Sequence, residues 1–216
     1  APKLISQNYK NNYIEITDFG DQTIFKLLGK SEKKNFSYYN KVLKLLNKIQ
    51  KIKKISSKTF LNKKYQIPIY TKKKILDEAY IFLDWYLPSA INKSQYLLIK
   101  KKIRKNLNTI YEKIKNKKKV FVHRDFHVSN IMKTKKGLAL IDTQDAVHGN
   151  PAYDLASLID DVRFKTSTEF KNKIYKSFTK NLKINEKKFF KNDFEILSVL
   201  RNLKILGIFV RLFKRD

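Results

Sequence analysis

Asp125, Asn130 and Asp142 fall in an order and at a spacing that suit the movement of a phosphoryl group. Asp125 closes a His123-Arg124-Asp125 string, Asn130 follows it by five residues, and Asp142 ends the apolar run Leu138-Ala139-Leu140-Ile141. On a loop, Asp125 can orient an attacking hydroxyl and accept its proton. Asn130 and Asp142 would add one neutral and one anionic oxygen, a set suited to Mg²⁺ that also keeps waters and nucleotide phosphates. Asp125 and Asp142 are 17 residues apart, about what a hairpin needs to bring a loop and a strand end together. Chance and turn-capping aspartates would account for the tripeptide alone, but not for the ordered set with a strand, turn and strand between.

The surroundings mark the same window. His123, His127 and His148 are the protein's three histidines, and six of its twelve aspartates fall between Val120 and Phe164. That window holds five basic residues (Arg124, Lys133, Lys135, Lys136, Arg163) against those six acids, a net charge of −1 in a chain of +29. The remaining residues therefore carry +30.

These side chains need elements to place them. Val120-Phe121-Val122 reads as a short strand, and Ile131-Met132-Lys133 and Leu138 to Ile141 flank a turn at Lys135-Lys136-Gly137, which is hairpin grammar. Helix dominates elsewhere. Phe36, Tyr39, Val42, Leu45, Ile49 and Ile52 recur at spacings of three and four. A second helix is expected from Lys72 through Ala79, Leu83 and Tyr86 toward Pro88, and a third, capped by Ser94, through Leu98, Ile103, Leu107, Ile110 and Ile114. Further helices are expected over Tyr153 to Phe164, Phe170 to Phe178 and Glu186 to Phe213. Residues 13 to 17 alternate like a strand, and Asp21 is a candidate cap for a short helix.

The chain has 216 residues, of which 42% are hydrophobic, enough for a sizeable core and against wholesale disorder. Its 48 basic residues include only six Arg, while Lys, Ile, Asn, Phe and Tyr, all encoded by A/T-rich codons, are abundant. Selection for phosphate or base contacts favours Arg, so codon drift is the better source of the charge. A basic nucleic-acid module would use runs such as Lys51 to Lys54, Lys72 to Lys74 and Lys117 to Lys119, but no recognition motif or zinc spacing accompanies them. With no cysteine there is no disulfide framework or thiolate metal site. No apolar run approaches a membrane span, and the expected location is cytoplasmic.

Phe121 to Met132 (FVHRDFHVSNIM), Leu140 to Ala146 (LIDTQDA), Gly149 to Asp161 (GNPAYDLASLIDD) and Arg201 to Leu212 (RNLKILGIFVRL) together resemble the aminoglycoside phosphotransferase family. They are most similar to its anomeric N-acetylmuramate/N-acetylglucosamine kinases of cell-wall recycling, as is Phe82 to Leu87 (FLDWYL). The resemblance implies an α+β, predominantly helical fold: the C-terminal lobe of a protein-kinase-like fold with a small catalytic β-hairpin and the N-terminal β lobe largely missing. It implies an ATP-dependent kinase of an amino-sugar hydroxyl, with Mg²⁺ as cofactor. Asp125 becomes the catalytic base, Asn130 and Asp142 the metal ligands, and Asp154 a buried brace supporting the loop with His123 and Arg124. Ile16, Thr17 and Asp18 correspond to the nucleotide hinge. His127, Asp145 and His148 are candidates for sugar hydroxyls, with His148 equally readable as a loop histidine before Gly149. Trp85 could stack on a sugar or pack in the core.

Asp18-Phe19-Gly20 spells the magnesium motif of protein kinases, but it precedes His-Arg-Asp and reads as a turn. The departures from the family bear on activity. No glycine occurs before Gly20, and nothing ahead of Tyr13 supplies the family's phosphate-covering loop or strand lysine. The expected division is a remnant of the first lobe over 1–30 and the helical lobe over 31–216, with the hairpin at 120–142. A chain of this extent is expected to hold nucleotide weakly and turn over poorly. Within the family, an aminoglycoside or choline-type kinase is the alternative; outside it, a nucleotide-binding scaffold or the basic nucleic-acid module. The partners expected are ATP and a small sugar, with nucleic acid disfavoured.

Overall fold

The alternating strand β2 (Tyr13–Ile16) forms as expected, but it has a partner that polar Ser6, Gln7 and Asn8 concealed: β1 (Leu4–Asn8) pairs with it antiparallel. Asn12, in the connection, takes the left-handed φ of 54° that Asn tolerates better than most residues. This computed structural model describes residues 1–53, 56–58 and 63–215. Asp18 Oδ1 accepts the Gly20 N–H at 2.7 Å and Gly20 has φ of 72°, the turn expected there. The cap of the short helix α1 (Ile24–Leu27) is Thr23, whose hydroxyl accepts the Lys26 N–H, so Asp21 does not cap it.

Ser31 caps α2 (Glu32–Ile49), which buries Tyr39, Val42, Leu46 and Ile49; Ile52 lies beyond its end and is exposed. Strands β3 (Ser56–Lys58) and β4 (Lys64–Gln66) form a small antiparallel pair that the sequence pattern did not announce. Lys54 lies outside the described residues, so the run Lys51 to Lys54 is only partly seen. Helix α3 (Lys72–Ile81) runs on through a π-helical turn, Phe82–Tyr86, into α4 (Leu87–Ala90), with Pro88 in the first turn of α4 where its missing N–H costs little. Asn92, not Ser94, caps α5 (Lys93–Tyr111) by accepting the Gln95 N–H at 3.0 Å. Ile114 falls past its end.

Strand β5 (Val120–Val122) is followed by the hairpin β6 (Ile131–Thr134) and β7 (Gly137–Leu140), as expected. Its own partner is β8 (Val147–Gly149), a strand too short and too mixed to stand out in sequence. Helix α6 (Ala152–Ile159) stops five residues short of Phe164, because Asp160 leaves helical geometry. Helices α7 (Thr168–Thr179) and α8 (Ile184–Arg215) complete the chain.

Helix α8 packs across α3, the π turn and α6, while α2 lies against α7 and β7. One core runs through these contacts and includes Leu46, Ile75, Leu83, Phe126, Leu155, Ile174 and Leu197. The hairpin is strapped from outside: the Lys133 N–H donates to Gln22 O at 2.7 Å, and Thr23 bridges to Met132. The chain that follows β2 is thereby fixed against the β6–β7 hairpin. Among the described residues, no helix is long and apolar enough to cross a membrane.

Candidate active site

The loop between β5 and β6 carries Asp125 and Asn130, and the end of β7 carries Asp142. Pairing of β6 with β7 closes the gap: Asn130 Nδ2 donates to the Asp125 carbonyl at 3.0 Å and lies 3.4 Å from Asp142 Oδ2. The three residues are therefore neighbours. Asp142 is exposed, and its other carboxylate oxygen accepts from Gln144 Nε2. Asp142 has φ of 61° and Arg124 φ of 76°, both left-handed values that non-glycine residues avoid, at about 1–3 kcal/mol each.

Asp154 opposes that strain. It sits in the first turn of α6, fully buried, and its two oxygens accept the N–H groups of His123 at 2.7 Å and Arg124 at 3.0 Å. Burial pushes its carboxyl up to about 7, while the two N–H donors pull the other way. His123, also fully buried, places Nε2 2.9 Å from the Ile141 carbonyl, tying the loop to the strand that ends in Asp142. Its pKa is lowered, first by burial.

Arg124 points away from the solvent. Its Nη2 donates to Glu78 Oε1 at 2.6 Å, and Nη1 donates to the Asp145 carbonyl at 3.3 Å and lies 3.5 Å from the Asp145 carboxylate. Burial works against its charge, but Glu78, Tyr70 and Tyr153 together more than offset this, so its pKa stands above the ordinary value. Asp145 is thus brought to the loop that carries Asp125, with an exposed side chain.

The other two sugar-contact candidates are placed differently. His127 is 4% exposed, and burial, then Arg163, lower its pKa to about 4, so it is a neutral interior ring beside Asp161 and Arg163 rather than a surface hydroxyl contact. His148 lies on β8, its N–H donating to Pro68 O and its carbonyl accepting from Tyr70. Burial and then Lys119 lower its pKa, and it pairs across the sheet with Phe121. Of the hinge candidates, Thr17 has already given its N–H to Lys3 O at 2.9 Å. That bond brackets the Leu4–Ile16 pair, leaving the N–H and C=O of Ile16 directed away from β1. Thr17 and Asp18 line a cavity of about 870 Å³ with Gln22 and the hairpin residues Lys133 to Lys136. Trp85 lies half-buried in the π turn.

Glu78, Tyr70 and Lys204 were missed by pattern reasoning. Glu78 is one of seven glutamates in a lysine-rich chain, and nothing local distinguishes it. Lys204 lies within the Arg201 to Leu212 string.

The donor set fits magnesium. Asn130 and Asp142 offer only oxygens, and among the described residues no group of three or more His, Cys, Asp or Glu could cage an ion. An ion here would complete its shell with water and phosphate oxygens, as Mg²⁺ does.

The model of the Phosphotransferase enzyme family matches residues 27–178, or 152 of 216 residues. The chain belongs to that family. Within the phosphotransferase family, the N-acetylmuramate/N-acetylglucosamine kinase of Neisseria meningitidis serogroup B is 26% identical over 222 residues, an alignment covering 100% of this chain and 64% of that protein. The chain thus spans less than two thirds of that relative. Among solved structures, the Plasmodium vivax ethanolamine kinase superposes with a TM-score of 0.65 at 13% identity, covering 100% of this chain and 63% of that one. An aminoglycoside phosphotransferase of Streptomyces rimosus, in complex with ADP and streptomycin, gives 0.54 at 11% identity, with 91% and 75% covered. At such identities these likenesses establish the phosphotransferase fold alone.

Proposed function

We propose that this chain is the metal- and acceptor-holding part of an ATP-dependent kinase that phosphorylates an amino-sugar hydroxyl, with N-acetylmuramate or N-acetylglucosamine as acceptor. The observation that carries the reading is the junction of Asp125, Asn130 and Asp142 at one end of the hairpin. The names of the curated relatives supply the acceptor class.

Asp125 would orient the acceptor hydroxyl and take its proton as the oxygen attacks the γ-phosphorus in line. Asn130 and Asp142 would hold Mg²⁺, which supplies charge neutralisation on the phosphate oxygens. Asp154 and His123 keep the loop in its strained form, so that little reorganisation is needed when the substrates meet. Asp145, exposed beside Arg124, is the remaining candidate for an acceptor hydroxyl. For adenine, the outward-facing backbone of Ile16 is the usable part of the hinge. The lysine-rich surface favours a neutral or anionic acceptor over a polycationic aminoglycoside.

The test is an assay of the product of the complete gene with labelled ATP against N-acetylmuramate, N-acetylglucosamine, an aminoglycoside, choline and ethanolamine. Label is expected on the two amino sugars, and Asp125→Asn should reduce turnover at least a thousandfold while nucleotide affinity stays within about threefold. Transfer to choline alone would overturn the acceptor, and an active Asp125→Asn variant would overturn the base.

A further inference from the structure

The carboxylate behind the catalytic loop is Glu78, for which the phosphotransfer reading has no use. It lies on α3, 46 residues before Arg124, with a side chain only 14% exposed. One oxygen accepts from Arg124 at 2.6 Å; the other accepts from Lys204 of α8 at 2.9 Å and from the Tyr70 hydroxyl at 2.6 Å. The Tyr153 hydroxyl, on α6, stands 3.2 Å from that of Tyr70. Arg124 and Lys204 are 10% and 12% exposed, so the cluster is largely withdrawn from water.

Removing such charges from water offsets most of what their attraction returns, so a buried ion cluster is a poor source of stability and a good means of fixing geometry. Geometry here needs fixing. Arg124 immediately precedes Asp125 and is held at φ of 76°. Relaxation of that residue to an ordinary conformation would turn the peptide that follows and swing the Asp125 side chain. Asp154 holds the backbone of the loop by the N–H groups of His123 and Arg124. Glu78 holds the other end of the same residue, the guanidinium, and anchors it between α3 and α8. With Nη2 released, the guanidinium would be drawn toward solvent and the backbone would follow.

We infer that Glu78 is a positioning residue: by clamping Arg124 it keeps Asp125 where it can take the acceptor's proton. The inference rests on the proposed role of Asp125. Arg124, Lys204 and Glu78 sum to +1, so Glu78→Gln leaves +2 in the interior and could unfold the loop for electrostatic reasons alone. The double variant Glu78→Leu/Lys204→Met returns the cluster to +1 and removes the acceptor of Nη2, leaving Arg124 only its Nη1 contacts to Asp145, and it separates the two effects.

Amide hydrogen exchange on the 216-residue chain and steady-state kinetics on the product of the complete gene read the outcome. The double variant should exchange the His123 and Arg124 amides at least tenfold faster, with α6 and α8 amides unchanged. Its kcat should fall at least tenfold, with both KM values within twofold. Wild-type exchange and kcat in the double variant would show that Glu78 only balances charge, and the inference would be lost. So would a uniform rise in exchange, or a kcat loss matched by KM. If Asp125→Asn retains activity, the proton-transfer reading fails, while the exchange result still reports whether Glu78 clamps the loop.

Discussion

Asp154 shows how much one carboxylate can decide at the residue scale. It accepts two buried backbone N–H bonds, so Asp154→Ala leaves two donors unpaired in the interior, at about 1–3 kcal/mol each. Asp154→Asn keeps one acceptor oxygen and is expected to lose roughly half as much; urea titration of the three proteins checks the order, and equal stabilities would refute the bracing role. His127 gives a pH signature. Burial, then Arg163, lower its folded pKa to about 4 from an ordinary 6.5, so between those values the unfolded chain binds the extra proton. Stability therefore falls as pH drops through 6.5 and stops falling near 4. Relative to His127→Gln in EDTA, the wild type should lose up to about 3 kcal/mol over that window, at roughly 1.4 kcal/mol per unit. Parallel pH profiles for the two proteins would contradict this. The identities of Asp125, Asn130 and Asp142 were readable because they form an ordered set within 18 residues. The left-handed backbones of Arg124 and Asp142 were not, since neither residue type announces a positive φ.

At the scale of elements, α8 crosses α3 and the π turn closely at Gly207. A Cβ on Gly207 would stand 2.5 Å from the backbone of Ile81 and Phe82, atoms that cannot turn aside. Gly207→Ala should therefore destabilise by about 2 kcal/mol or more, although alanine favours helix, lowering Tm by several degrees in a thermal melt. An unchanged Tm would mean that the helices do not cross this closely. Helices were legible where apolar residues recurred at three and four, as in α2. Caps were less so: Asp21 and Ser94 were outcompeted by Thr23 and Asn92, two residues away in each case, because a cap depends on where the backbone turns. Strands β1 and β8 stayed hidden because three to five residues of mixed polarity carry no period. Their partners, β2 and β5, are what make them strands.

For the whole molecule, 48 basic residues against 19 acidic ones dominate the long-range electrostatics. Ion pairs such as Lys73–Asp77 and Lys191–Glu195 are exposed, so salt costs them little. Screening the surplus positive charge should do more, and raising NaCl from about 20 to about 300 mM is expected to raise Tm by a few degrees. A falling Tm would show that specific pairs outweigh repulsion. The placement of the lysines fits drift better than selection for a partner: Lys72 to Lys74 occupy the first turn of α3, where the helix dipole opposes a cation. Two of them face acids, Lys72 at Glu112 and Lys73 at Asp77. By itself the sequence determined which oxygens could handle a metal and a hydroxyl, where the hairpin lay and that helices would surround it, because types, order and periodicity are local. Only the tertiary structure decided that His127 is interior, that the backbone of His148 is tied to Pro68 and Tyr70, and that Thr17 has spent its N–H. It also decided that Arg124, Lys204 and Tyr70 converge on Glu78. Those facts depend on which distant residues share a volume, and burial, charge pairing and backbone strain are set there.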